Sequence, residues 1–180
     1  MGADAEQARC PIMPTYGAPS VMFVRGQGTE LWDSQGKRYL DFVGGLAVQS
    51  LGHANPEVAE AISEQAMTLT QVSNYWATEH AHHVALQLDR HITGSGSSYV
   101  SDSGSPSGQV FFCNSGAEAN ELAFKLARKY TGSGQYEILT AMGSFHGRTL
   151  AALAACGQPH KHEPFEPMPS GFHHFKRDES

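Results

Sequence analysis

Short apolar-rich runs separated by turn chemistry read as strands of a small antiparallel unit early in the chain. Residues 21–25 and 29–32 read as two such strands, Asp33-Ser34-Gln35-Gly36 supplies turn chemistry, and residues 37–42 return extended. The pattern then changes. Asn55-Pro56 offers an N-cap followed by a proline at the first helical position, and Val58, Ile62, Ala66 and Leu69 follow at helical spacing. A helix of about four turns is expected there. Residues 79–92 carry a second stripe at Val84, Leu88 and Ile92.

Residues 93–108 break this patterning, being mostly Ser and Gly, and predict a flexible surface insertion longer than the usual loop of about 4–6 residues. Beyond it, residues 109–113 form a β-rich run. Ala119, Leu122, Ala123 and Leu126 place a helix over residues 118–130, residues 136–141 read as a strand, and a further helix is expected from Thr149 to Gly157-Gln158-Pro159. Strand, helix and strand in this order predict an α/β fold with a parallel sheet.

Charge narrows the functional classes. A formal net charge of -6 argues against a nucleic-acid or anionic-membrane surface, so any phosphate recognised here is expected to be small and locally cradled. Cys10, Cys113 and Cys156 lie far apart and in odd number, which fits neither a disulfide framework nor paired zinc ligands. With no signal-peptide core and no apolar run of spanning length, a cytoplasmic location is expected. His80 and His83 stand at helical spacing without a third ligand or paired cysteines, so no metal site is expected; His173-His174 reads as an exposed end.

Two segments carry candidate chemistry. In Val110-Phe111-Phe112-Cys113-Asn114-Ser115-Gly116-Ala117-Glu118-Ala119-Asn120-Glu121, a strand-like run gives way through small residues to a helix start. Backbone N–H groups at Ser115, Gly116 and Ala117 and the positive end of the helix dipole suit an anion. The alternative is that Asn114 or Ser115 merely caps the helix. Neither GxxxxGK[ST] nor GxGxxG is present, which leaves nucleotide binding a weak rival. In Gly143-Ser144-Phe145-His146-Gly147-Arg148-Thr149, Phe145 could lie against a flat heteroaromatic ring and Arg148 could grip a carboxylate; core packing and a surface ion pair are the alternatives.

Together the two segments resemble the hallmark sequences of class III aminotransferases, and the resemblance extends through residues 40–48, Leu51-Gly52-His53, Ser73-Asn74 and residues 155–159. It implies a fold-type-I, pyridoxal-phosphate-dependent transaminase. Residues 1–72 would be an N-terminal segment, and residues 73–180 the first part of a large parallel-sheet domain. By resemblance, Ser115, Gly116 and Ala117 hold the cofactor phosphate, Phe145 stacks on the pyridoxal ring, Arg148 holds the substrate α-carboxylate, and Tyr75 with Asn74 borders the pocket.

Within the family, the Gly-Gly-Leu-Ala-Val wording at residues 44–48 is most similar to members that act on N-acetylornithine in arginine biosynthesis. The complete enzyme is then expected to be a homodimer that moves the δ-amino group of N2-acetylornithine to 2-oxoglutarate. Ornithine, succinylornithine, succinyl-diaminopimelate and 4-aminobutyrate remain alternative donors. None of Lys37, Lys125, Lys129, Lys161 and Lys176 stands in the context of the family's Schiff-base lysine, which comes later in a longer chain. The expectation is an N-terminal part that is inactive alone, with a shortened, non-catalytic paralogue serving as a binding or dimerisation module as the alternative.

Overall fold

The computed structural model describes residues 12–17, 19–93 and 108–176, and the insertion expected at 93–108 lies, apart from its two end residues, outside them. The chain forms two units, Met1–Ala77 and Thr78–Ser180.

In the first unit, β1 (Phe23–Gln27), β2 (Glu30–Asp33) and β3 (Arg38–Leu40) form an antiparallel meander. Asp33 builds its second turn. One carboxylate oxygen accepts from the Gln35 and Lys37 amides, both at 2.9 Å, and the other from the Tyr39 hydroxyl at 3.0 Å. After β3, Gly44, Gly45, Leu46 and Ala47 make a left-handed turn, with φ of 66° at both Leu46 and Ala47. Each non-glycine residue there costs roughly 1–2 kcal/mol. Gly28 and His53 then exchange backbone hydrogen bonds of 2.9 and 2.8 Å. Helix α1 (Pro56–Thr68) starts as expected, with Asn55 Oδ1 accepting from the Val58 amide and Pro56 at the first position.

The second unit contains α2 (Glu79–Thr93), α3 (Gly116–Thr131), β4 (Ile138–Ala141), α4 (Leu150–Ala155) and β5 (Phe172–Phe175). Strands β4 and β5 pair in parallel, Ile138 opposite Phe172 and Ala141 opposite Phe175. Helix α4 is the centre of the core. Its sequence LAALAA is small and apolar on all sides, Ala152 to Ala155 are buried with Cys156, and it touches α3, β4 and β5. Phe124 of α3 meets Phe172 edge to face, ring centroids 5.1 Å apart. Among the described residues, no helix is long and apolar enough to cross a membrane.

Three expectations need correction. Residues 109–113 are not a strand; no ladder partner among the described residues lies beside them, and Phe111 and Phe112 are 58% and 46% exposed. The parallel pair forms instead between β4 and β5, so His173 and His174 belong to a strand rather than to a loose end. The hydrophobic stripes of three helices also fail to turn inward; on α1, Val58, Ile62, Ala66 and Leu69 are all exposed. On α2, Val84, Leu88 and Ile92 are exposed while Ala85, Leu86 and Asp89 are half-buried.

On α3, Leu126 is 55% exposed and Ala119 and Ala123 are exposed. The face turned inward runs through Ala117, Asn120, Glu121, Phe124 and Arg128. At about 100° per residue these five positions share one side of the helix, opposite the exposed Ala119, Ala123 and Leu126; Leu122 is half-buried. Polar bonds join the Phe124–Phe172 contact on this face. Arg128 donates to the carbonyls of Tyr136 at 3.2 Å and Ser170 at 3.3 Å, while Asn120 and Glu121 bind the loop before α4.

Candidate cofactor site

Extended backbone at Ser115, with φ of -156° and ψ of 159°, turns abruptly into α3 at Gly116. Ser115 Oγ accepts from the Glu118 amide at 3.2 Å, and the Glu118 carboxylate accepts in return from the Asn114 amide at 2.6 Å. This is a capping box with its return bond moved one residue outward. The capping alternative is therefore real, but it leaves room for the other reading. A serine hydroxyl that accepts still has its proton to donate. No described residue accepts from the amides of Gly116 and Ala117, as expected for the first turn of a helix. A Cβ placed on Gly116 meets nothing within 4 Å. Donors, dipole and open space coincide at this point, and the residues fit a phosphate.

The second segment lies against the first. Gly147, at φ +136°, sits so close to α3 that a Cβ there would stand 2.6 Å from Ala117 Cβ. Asn120 Nδ2 donates to the His146 carbonyl at 2.7 Å, and Glu121 Oε1 accepts from the Thr149 hydroxyl at 2.5 Å and the Ala152 amide at 3.3 Å. On the other side of the loop, the His146 amide donates to Cys156 Sγ at 3.2 Å and Gln158 Nε2 to the Ser144 carbonyl at 3.0 Å. The loop backbone is thus laced down at both ends.

Phe145 and Arg148 project from that backbone. Phe145 is 57% exposed, and the Arg148 guanidinium carbon stands 5.2 Å from the Phe145 ring centroid, within cation–π range. An aromatic ring has two faces; with Arg148 over one, a flat ligand uses the other or displaces the guanidinium. The second unit therefore brings together Ser115, Gly116, Ala117, Phe145 and Arg148. Tyr75 belongs to the first unit, where the residue is 92% exposed and its amide donates to Ser73 Oγ at 3.5 Å. Hydropathy and motif reading assigned no role to Asn120, Glu121, Gly147 or Cys156. The one available signal was the 117, 120/121, 124, 128 spacing, which mixes polar with apolar residues.

The profile of aminotransferase class III matches residues 13–180. The chain is 46% identical over 163 residues to an acetylornithine aminotransferase of Streptomyces coelicolor, covering 91% of this chain and 37% of that protein. It is 47% identical over 165 residues to one of Caldanaerobacter subterraneus, covering 89% and 39%. The chain thus spans about two fifths of the length of these relatives. Among solved structures, an omega-transaminase from Thermomicrobium roseum superposes with a TM-score of 0.82 at 30% identity, over 98% of this chain and 40% of that one. A taurine:2-oxoglutarate aminotransferase from Bifidobacterium kashiwanohense, solved with PLP and glutamate, gives 0.79 at 31% identity, over 93% and 36%. With the matching profile spanning both hallmark segments and nearly all of the sequence, the chain belongs to the class III aminotransferases, a pyridoxal-phosphate-dependent family.

Proposed function

We propose that this chain supplies the cofactor-phosphate end of a pyridoxal-phosphate-dependent aminotransferase, with residues 73–180 forming the opening part of its large domain. The supporting observation is the pairing of a helix start, whose Gly116 and Ala117 amides have no acceptor among the described residues, with a tethered loop that carries Phe145. In this reading the Ser115 hydroxyl and the two amides donate to the phosphate, the exposed face of Phe145 supports the pyridine ring, and Arg148 swings from Phe145 to a substrate carboxylate. Pyridoxal phosphate, when bound, supplies the electron sink that lets an amino group move between carbon skeletons.

The names of the two acetylornithine aminotransferases above support N2-acetylornithine as amino donor. We propose that the complete, homodimeric enzyme transfers its δ-amino group to 2-oxoglutarate. None of the chain's lysines stands in the context of the family's reactive lysine, so the chain by itself is proposed to lack transaminase activity.

The test is a titration of the 180-residue protein with pyridoxal phosphate, followed by absorbance, with borohydride reduction and mass analysis at the end. Reversible, phosphate-competed binding without a pyridoxyl-lysine is expected. Absence of any binding sinks the site reading. A stoichiometric adduct on one lysine sinks the claim that the chain is inactive alone.

A further inference from the structure

Resting on the reading of the α3 start as a phosphate cradle, we propose that Asn120 and Glu121 are positioning residues that hold Phe145 and Arg148 at a fixed distance from the phosphate donors. Asn120 spends its amide hydrogens, and Glu121 one carboxylate oxygen, on Gly116 and on groups of residues 146–152.

Asn120 Nδ2 carries two hydrogens and uses both, one on the Gly116 carbonyl of its own helix at 3.0 Å and one on the His146 carbonyl at 2.7 Å. Glu121 Oε1 accepts from the Thr149 hydroxyl and the Ala152 amide. Thr149 is the N-cap residue of α4 yet makes no capping bond with its own side chain. A carboxylate from α3 caps α4 instead and places negative charge at its positive end. Between these two anchors, Gly147 abuts Ala117 and stops the loop from moving closer.

Three fixed points therefore bracket the segment, at His146, Gly147 and Thr149–Ala152. Phe145 lies one residue before the first, and Arg148 lies between the second and the third. The anchors stand one helical turn beyond Gly116 and Ala117 on the same face of α3, so about 5.4 Å of rigid helix sets the spacing between phosphate donors and ring support.

The experiment uses the full chain with Asn120→Leu, Glu121→Ala, Glu121→Gln and Thr149→Val. Affinities for pyridoxal phosphate and for inorganic phosphate are measured beside amide hydrogen exchange across residues 144–152. Asn120→Leu and Glu121→Ala are expected to weaken pyridoxal phosphate about tenfold, the scale of one or two hydrogen bonds, and to leave inorganic phosphate nearly unchanged. Exchange in residues 144–152 accelerates by a similar factor. Glu121→Gln, whose amide oxygen still accepts, restores both readouts, and Thr149→Val, which removes one bond only, falls between.

Equal losses for the two ligands, or unchanged exchange in the variants, overturn the positioning role. Should Glu121→Ala fail to fold, Thr149→Val and Asn120→Leu carry the same test. If the unaltered protein binds neither ligand, the cradle reading fails on its own, and the exchange measurement still decides whether these two residues hold the loop.

Discussion

Asp41 and His53 share a hydrogen bond of 2.7 Å between Oδ2 and Nε2, while Oδ1 of the same carboxylate accepts from the amides of Val43 and Gly44 at 2.9 and 2.8 Å. The aspartate side chain is only 8% exposed. The pair therefore fastens the end of β3 to the loop that bonds with Gly28, and it holds the entry to the left-handed turn at residues 44–47.

The His53 bond, followed by the Gly44 and Val43 amides, holds the Asp41 carboxyl below its ordinary value. A carboxyl more acidic when folded contributes stability that is present above the unfolded value, about pH 4, and is lost as pH falls through the folded value. Urea unfolding followed by tryptophan fluorescence should show stability falling as pH drops from about 5 through the acidic range. Asp41→Asn should flatten that slope, and His53→Ala should speed amide exchange at Val48 and Gln49, which both donate to the Gly44 carbonyl.

Glu121→Ala removes two hydrogen bonds and should cost about 1–3 kcal/mol in chemical denaturation. Thr149→Val removes one of the same two. Because both variants delete a shared bond, the double variant should lose less than the sum of the singles. Strict additivity would mean that this bond contributes nothing.

Glycine replacements should separate folding from binding. Gly147→Ala drives a methyl into Ala117 at an unfavourable φ, and Gly157→Ala drives one into the Ala141 carbonyl, so each should destabilise by more than about 1–3 kcal/mol. A Cβ at Gly116 meets nothing within 4 Å, so Gly116→Val should leave the thermal midpoint close to that of the unaltered chain. Its branched side chain fills the space beside the free amides, so affinity for pyridoxal phosphate should fall about tenfold or more.

The Thr140 hydroxyl donates its one proton to the Ala155 carbonyl at 2.7 Å and so must accept from His174 Nδ1, 2.9 Å away. Burial pushes His174 below the ordinary histidine value, and His162, His173 and His146 add to the effect. The unfolded chain thus takes up the proton first. Stability is full above about pH 6.5 and declines as pH falls from there through the folded value. His174→Gln should remove that part of the pH dependence of unfolding.

Local chemistry was legible in the sequence, and rotational placement was not. Asn55-Pro56, the Asp33 turn and the Ser115 cap each involve partners within four residues, so residue type and spacing sufficed. Residues 109–113 have strand composition without a ladder, because a strand is defined by its neighbour rather than by itself. Strand β5 was missed for the converse reason; its partner lies 34 positions away. The nearness of Phe145 to Arg148 followed from one short motif, whereas Asn120 reaches 26 positions and Glu121 reaches 28, beyond any local pattern.

Helix α3 packs through directional bonds at Asn120, Glu121 and Arg128 and turns much of its apolar stripe outward. Apolar burial is non-directional, whereas hydrogen bonds weaken steeply once misaligned. The polar stripe therefore works as a key in a slot. It sets the rotational phase of the helix, and with it the direction in which the Gly116 and Ala117 amides, the proposed phosphate donors, point.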